Sequence, residues 1–125
     1  MTVSDYAEAK LVDAWLGTTS FQATACYVKR HTGDPGETGV SNAAAETTRK
    51  LATFAAASVG TGLAASNVAL TWASVAGTET ISYVSLWDAV AAGNCLGSGA
   101  LTASKAVIAG DTFTIASGSL TAAID

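Results

Sequence analysis

Residues 81–88, ISYVSLWD, alternate. Ile81, Tyr83, Ser85 and Trp87 fall on one side of an extended chain, and Ser82, Val84, Leu86 and Asp88 on the other. A period of two, carried by β-branched and aromatic residues, calls for a strand. TACYVKRH (24–31) and NVALTW (67–72) repeat that pattern. Gly93-Asn94 marks a turn, and CLGSGAL follows as a strand weakened by glycine. Turns at Gly110-Asp111 and Ser117-Gly118 then set Phe113 and Ile115 against Leu120, Ala122 and Ile124, which reads as a closing hairpin. Short strands separated by such turns predict a mainly β fold, an antiparallel β-sandwich of jelly-roll type. At 125 residues the chain is read as a single domain spanning 1–125.

The N-terminus breaks the pattern. Over about 4–17 the apolar period is helical, with Ala7, Leu11, Ala14 and Trp15 on one face. Thr2 or Ser4 supplies an N-cap, Asp5 and Glu8 suit the positive end of the helix dipole, and Gly17 is the expected stop. Val12 and Leu16 widen the apolar stripe beyond one face. A helix that is apolar on more than one side needs more than one neighbour. The segment 43–66 is ambiguous. NAAAETTRKLATF reads either as a short Ala-rich helix or as a loop entering a strand at Leu51 to Phe54, and AAASVGTGLAAS reads as a small-residue linker.

Charge is scarce at 13% of residues, against roughly 25% in an average soluble domain. Half of the residues are hydrophobic, but many are alanine, which buries little area. A modest core under a weakly charged surface is expected to be covered by partners. The net charge of −4 argues against nucleic-acid binding, and Lys29-Arg30-His31 alternate across a strand and make no basic patch. No run is long enough to span a membrane. No signal peptide is visible, so synthesis in the cytoplasm is expected. Two cysteines, Cys26 and Cys95, are too few for a disulfide scaffold and read as small buried thiols, with one late disulfide left open.

HTGDPGETG, residues 31–39, holds the lone histidine and the lone proline of the chain. His31 beside a turn reads as an exposed strand-end residue, with no base–orienter pair for catalysis. Asp34 and Glu37 supply two hard ligands, short of a calcium loop. Asp34-Pro35-Gly36 has turn chemistry: the Asp side chain bonds its own backbone, Pro fixes φ and Gly supplies positive φ. Gly60-Thr-Gly-Leu-Ala-Ala65 matches a dinucleotide fingerprint only loosely and lacks a βαβ setting. No catalytic residue, metal or cofactor is therefore assigned. Trp72, Tyr83 and Trp87 are candidates for a sugar-stacking platform, although strand aromatics serve cores and interfaces as well.

The succession SDYAEAKLVDAWLGTTSF, YVKRHTGDPGETG, RKLATFAAAS and VSLWDAVAAGNCLGSGALTASKAVIAGDTFTIASGSL resembles a family of small tailed-phage structural proteins, commonly labelled tail fibre proteins. The resemblance implies a virion component without enzymatic activity or cofactor. Compactness and low charge favour, within that family, a capsid decoration (cement) protein. Its expected partners are further copies of itself, as a homotrimer, and the major capsid protein. The alternative is a tail fibre or tail-tip component that binds the host surface. The interface residues expected are Leu11, Val12, Trp15 and Leu16 on the helix, with His31, Asp34, Pro35, Glu37 and Arg49 contacting neighbouring subunits.

Overall fold

The computed structural model describes residues 1–124. Its largest element is a five-stranded antiparallel sheet in the order β1-β7-β6-β2-β3, formed by Thr2–Val3, Cys95–Val107, Glu79–Trp87, Cys26–His31 and Lys50–Ala52. Two short antiparallel pairs complete the second layer. β5 (Leu70–Trp72) pairs with β8 (Phe113–Ile115), and β4 (Ala64–Ala65) with β9 (Thr121–Ala122). One helix, α1 (Asp5–Trp15), follows β1. The mainly β, antiparallel reading with an N-terminal helix holds, with the second layer broken into pairs instead of forming one sheet.

Apolar side chains from both layers make the core. Val28, Ile81, Val84 and Leu86 of the large sheet meet Leu70, Trp72, Phe113 and Ile115 of the small pair. Trp72 and Phe113 pack edge-on, with centroids 5.8 Å apart, a favoured geometry for aromatic quadrupoles. The strict alternation read across 81–88 is broken. Ala100 pairs with Tyr83 but Lys105 pairs with Ile81, so β7 carries extra residues in a bulge. Past that bulge the phase flips. Ile81 joins Val84 and Leu86 in the core, while Tyr83, Ser85 and Trp87 face the other way.

The expected closing hairpin does not form. β8 and β9 pair with β5 and β4, strands some forty to sixty residues earlier in the chain. Ser66 explains the diversion. Its Oγ accepts from the N–H groups of Gly118 and Leu120 at 3.2 and 3.3 Å, and its own N–H donates to Leu120 O at 2.8 Å. The Ser117-Gly118 turn is thereby clasped onto Ser66, and the chain beyond it is delivered to β4.

The ambiguous segment is resolved as the loop and strand. Residues 43–49 form a strap across the molecule, then enter β3. Its backbone groups are committed elsewhere: Ala44 N–H to Arg30 O at 3.1 Å, Ala45 N–H to the Glu79 carboxylate at 3.0 Å, and Thr48 O to Trp72 Nε1–H at 2.8 Å. These bonds replace the i to i−4 ladder that alanine content alone would favour. At α1, Ser4 is the N-cap, accepting from Ala7 N–H at 3.2 Å while its hydroxyl donates to Cys95 O at 2.6 Å. Gly17, with φ +73°, ends the helix as expected.

Candidate functional site

The loop after β2 is built by its own side chains. Asp34 Oδ1 accepts from Gly36 N–H at 2.9 Å, closing the turn. Asn42 Nδ2–H donates to Asp34 O at 2.9 Å, and Ser41 N–H to Pro35 O at 3.1 Å. Glu37 Oε2 accepts from Asp5 N–H at 3.0 Å, one of the orphan donors at the start of α1. The loop therefore docks on the helix, and the negative charge suits that end of the dipole. Gly39 comes closest to the sheet: a Cβ there would lie 2.7 Å from Cys95 Sγ and 2.8 Å from Trp87 Cζ2.

His31 overturns the expectation of an exposed strand end. It is fully buried. Its Nδ1 lies 2.9 Å from Ser41 O, and its Nε2 lies 2.7 Å from Ser85 Oγ. A carbonyl only accepts, so Nδ1 carries the proton and Nε2 accepts from the Ser85 hydroxyl. Ser85 in turn accepts from Trp87 Nε1–H at 2.7 Å. Burial pulls the His31 pKa below 6.5, and Lys29 lowers it further, against the raising effect of the Ser41 carbonyl bond. The Ser–His pair has the spacing of a nucleophile and base, but both residues are sealed from solvent and the hydroxyl is already engaged. Its role is to satisfy polar groups between the loop and the sheet.

Arg30 is also fully buried, on the core side of β2. Its guanidinium carbon lies 5.1 Å from the Trp72 ring centroid and 5.5 Å from that of Phe113. Nη2 reaches Glu46 Oε1 at 3.9 Å, while Nε and Nη1 find no oxygen partner and face an aromatic setting instead. Burial lowers the Arg30 pKa; Glu46 and then Glu79 raise it. Alternation put Lys29 and Arg30 on opposite sides of a strand but did not say which side faces the core. The Trp72 and Phe113 that make burial tolerable are distant in sequence.

Of the expected interface residues, the structure brings Glu37 to the start of α1 and leaves Asp34 exposed beside it. Pro35 is buried like His31, so neither presents side-chain surface to a neighbour. Arg49 is turned inward. It stacks 3.8 Å from the Trp87 ring centroid and donates from Nη1 to Ala89 O and Ala92 O at 2.8 and 2.7 Å, holding the 88–94 loop. On α1, Leu11 is half-buried, whereas Val12, Trp15 and Leu16 are exposed.

The aromatic platform changes too. Trp72 and Trp87 are buried and offer no face to a sugar. Tyr83 is half-buried and borders an open cleft of about 390 Å³ with Asp34, Glu37 and Ser98. Trp15, named above among the expected interface residues, is the tryptophan that solvent reaches. Both cysteines are free; Cys26 packs against the core cluster and Cys95 lies beside Gly39 on the opposite face of the sheet. Burial raises both thiol pKa values. Among the described residues no group of three or more His, Cys, Asp or Glu side chains is placed to hold a metal. Among the described residues no helix is long and apolar enough to cross a membrane.

A search of curated proteins found no match to the chain. A family model does match, described as podophage GP4 fiber I protein gp80, and it covers residues 2–123. That span includes α1, the 31–39 loop and every strand of both layers. The chain belongs to the family of the podophage GP4 fiber I protein gp80.

Proposed function

We propose that this chain is a non-enzymatic fibre subunit of a tailed-phage virion, placed on the tail and turned toward the host surface. The observation that carries the reading is the family match across residues 2–123. The geometry is in keeping with it. Polar chemistry is spent inside the fold, in the Trp87–Ser85–His31–Ser41 chain and around Arg30, and not at a reactive centre. In this reading the partners are further copies of the chain, and the cleft beside Tyr83, with Asp34, Glu37 and Ser98, is the surface offered to hydroxyl-rich polymers on the host. Carboxylates and hydroxyls next to an aromatic face suit such ligands. The test is binding of purified protein to host cells. Tyr83→Ala, with unchanged circular dichroism, is expected to abolish binding. Equal binding by that variant removes the cleft from the account.

The second reading is a capsid decoration protein that stabilises the shell by binding only its assembled state. Scarce charge and exposed apolar residues on α1 favour it. It requires hundreds of copies per particle, whereas the fibre reading requires a few tens at most. Quantitative mass spectrometry of virions separates the two.

A further inference from the structure

A cleft of about 500 Å³ opens between the two layers, where β7 passes β8 and the start of β9. That volume is within the range of small-ligand sites. Val84, Phe113, Ile115 and Leu120 form its floor, and all are buried. Its lips are strand edges. β1 covers β7 only at Gly97 and Ser98, and β8 pairs with β5 alone. Among the described residues, no strand pairs with β7 beyond Ser98 on that side or with the free edge of β8. The bulge in β7 shapes the mouth. Ala100 pairs with Tyr83 and Lys105 with Ile81, so four residues, Leu101 to Ser104, stand against Ser82 alone. Such an excursion leaves the ladder and re-aims its side chains. A bulge and an edge lysine also guard against strand addition, so an extended peptide is the poorer occupant.

Lys105 is out of place by the alternation of its strand. Cross-strand partners share a face, and its partner Ile81 is fully buried in the core. Val107, two residues on, is buried on that same face. An apolar side chain is called for at 105, and a lysine stands there. It lines the cleft, and among the described residues no carboxylate pairs with it. No Asp or Glu among the described residues lines the cleft either, although the chain has a net charge of −4. The polar side chains around Lys105 are the hydroxyls of Thr102, Thr114, Ser119 and Thr121, all exposed. With the backbone N–H and C=O groups of the unpaired edges they supply both donors and acceptors.

We infer that the cleft between β7 and β8 binds a sugar ring bearing one anionic group, a carboxylate or a phosphate, with the anion on Lys105. The ring hydroxyls meet the Thr and Ser rim and the strand edges, and the C–H face of the ring lies over the apolar floor. A lone ammonium without a competing carboxylate selects for one negative charge. A rim of hydroxyls and backbone groups selects for a ligand that both donates and accepts. This site is chemically opposite to the cleft beside Tyr83, where Asp34 and Glu37 repel an anion. It goes beyond the fibre reading and does not depend on where the protein sits on the virion, so either can fail alone.

The experiment follows the amide NMR shifts of the isotope-labelled full chain. The probes are methyl glucuronide for the carboxylate, glucose 6-phosphate for the phosphate, methyl glucoside for the neutral ring and acetate for charge alone. At least one of the anionic sugars is expected to shift the amides of 99–105 and 113–121 and to saturate near about 1 mM, as a ligand of that size does. Which of them binds identifies the anion. The glucoside and acetate are each expected to bind at least about tenfold more weakly, since each lacks half of the recognition. Lys105→Gln is expected to weaken the anionic sugar about tenfold, and Lys105→Arg to stay within about threefold of wild type. Ala103→Trp, at an exposed position on the β7 lip, fills the mouth while leaving Lys105 in place, and is expected to weaken binding similarly. Lys50→Gln, a cation outside the cleft, is the control and is expected to change nothing. Unchanged circular dichroism shows that each variant folds; should Ala103→Trp fail to fold, Ser119→Trp fills the mouth from the opposite lip. The inference is overturned if neither anionic sugar saturates below about 20 mM, the range in which a millimolar site shows. It is overturned equally if the glucoside or acetate binds as tightly, if the shifts lie outside the cleft, or if binding survives Lys105→Gln or a folded mouth-filling variant.

Discussion

The hydroxyl of Ser85 donates to Nε2 of His31 across 2.7 Å, with both residues fully buried. This bond joins the loop after β2 to the centre of the large sheet, since His31 Nδ1–H continues to Ser41 O and Trp87 Nε1–H feeds into Ser85. Ser85→Ala leaves the Trp87 donor and the His31 acceptor buried without partners. Each such orphan costs about 1–3 kcal/mol, so a loss of roughly 2–6 kcal/mol is expected. Urea denaturation reads it as a fall in midpoint at constant slope. A change within about 0.5 kcal/mol contradicts the network.

Stability should fall in mild acid for the same reason. Burial holds the His31 pKa below its ordinary 6.5, with Lys29 acting in the same direction. The folded state therefore binds that proton less readily than the unfolded chain. The contribution is complete above pH 6.5 and is lost as pH drops from there through the folded-state value. His31→Gln removes the titration. Thermal unfolding of wild type is expected to decline below about pH 6.5 more steeply than that of the variant, and parallel profiles refute the assignment.

Gly39→Ala and Gly36→Ala separate two costs. Both glycines have positive φ, at +71° and +73°. Beside Gly36 a Cβ meets nothing nearer than Ser41 Oγ at 3.9 Å, so only the backbone penalty of about 1 kcal/mol applies. Beside Gly39 it collides with Cys95 and Trp87 at under 3 Å, adding about 1–3 kcal/mol. Calorimetry is expected to rank Gly39→Ala well below Gly36→Ala. Equal melting temperatures contradict the close approach.

Arg30 and Glu46 respond in opposite ways. Arg30→Met replaces a buried charge with an apolar chain of similar size between Trp72 and Phe113, and is expected to be neutral or stabilising. Glu46→Ala removes the carboxylate within ion-pair distance of the buried guanidinium and leaves only the weaker influence of Glu79. The pair is long at 3.9 Å and Glu46 is 21% exposed, so the expected loss is roughly 1–3 kcal/mol, below that of a closed pair. Denaturant midpoints decide it; a large loss in Arg30→Met refutes the reading.

Arg49→Lys keeps the charge but not the planar stack on Trp87 or the fork that reaches Ala89 O and Ala92 O. Amide exchange across residues 88–94 is expected to quicken several-fold while the β2 and β6 amides stay protected. Unchanged exchange in that loop indicates that Arg49 does not hold it.

Much of this architecture was legible in the sequence. The period of two at 24–31 and over 83–87, Ser4 as one of the two caps offered, the Gly17 stop and the Asp34-Pro35-Gly36 turn all read correctly, because each is a local effect of spacing or backbone chemistry. What escaped depends on distant residues. The β-bulge flips Ile81 relative to Tyr83 through an irregularity in β7, and β9 leaves its expected hairpin because Ser66 captures the Ser117-Gly118 turn. His31 read as an exposed strand end and the burial of Arg30 was not foreseen, since the groups that satisfy them lie on other elements. The helix stripe was visible, but not that its Trp15 end stays uncovered while Ala7 is buried.

The proposed function places this fibre subunit on the tail. Electron cryomicroscopy of virions carrying a bulky label fused to this chain tests that directly. The account predicts label density confined to the tail vertex, in the low copy number of a fibre. Density spread over the capsid shell at its lattice axes contradicts it and returns the protein to the decoration reading.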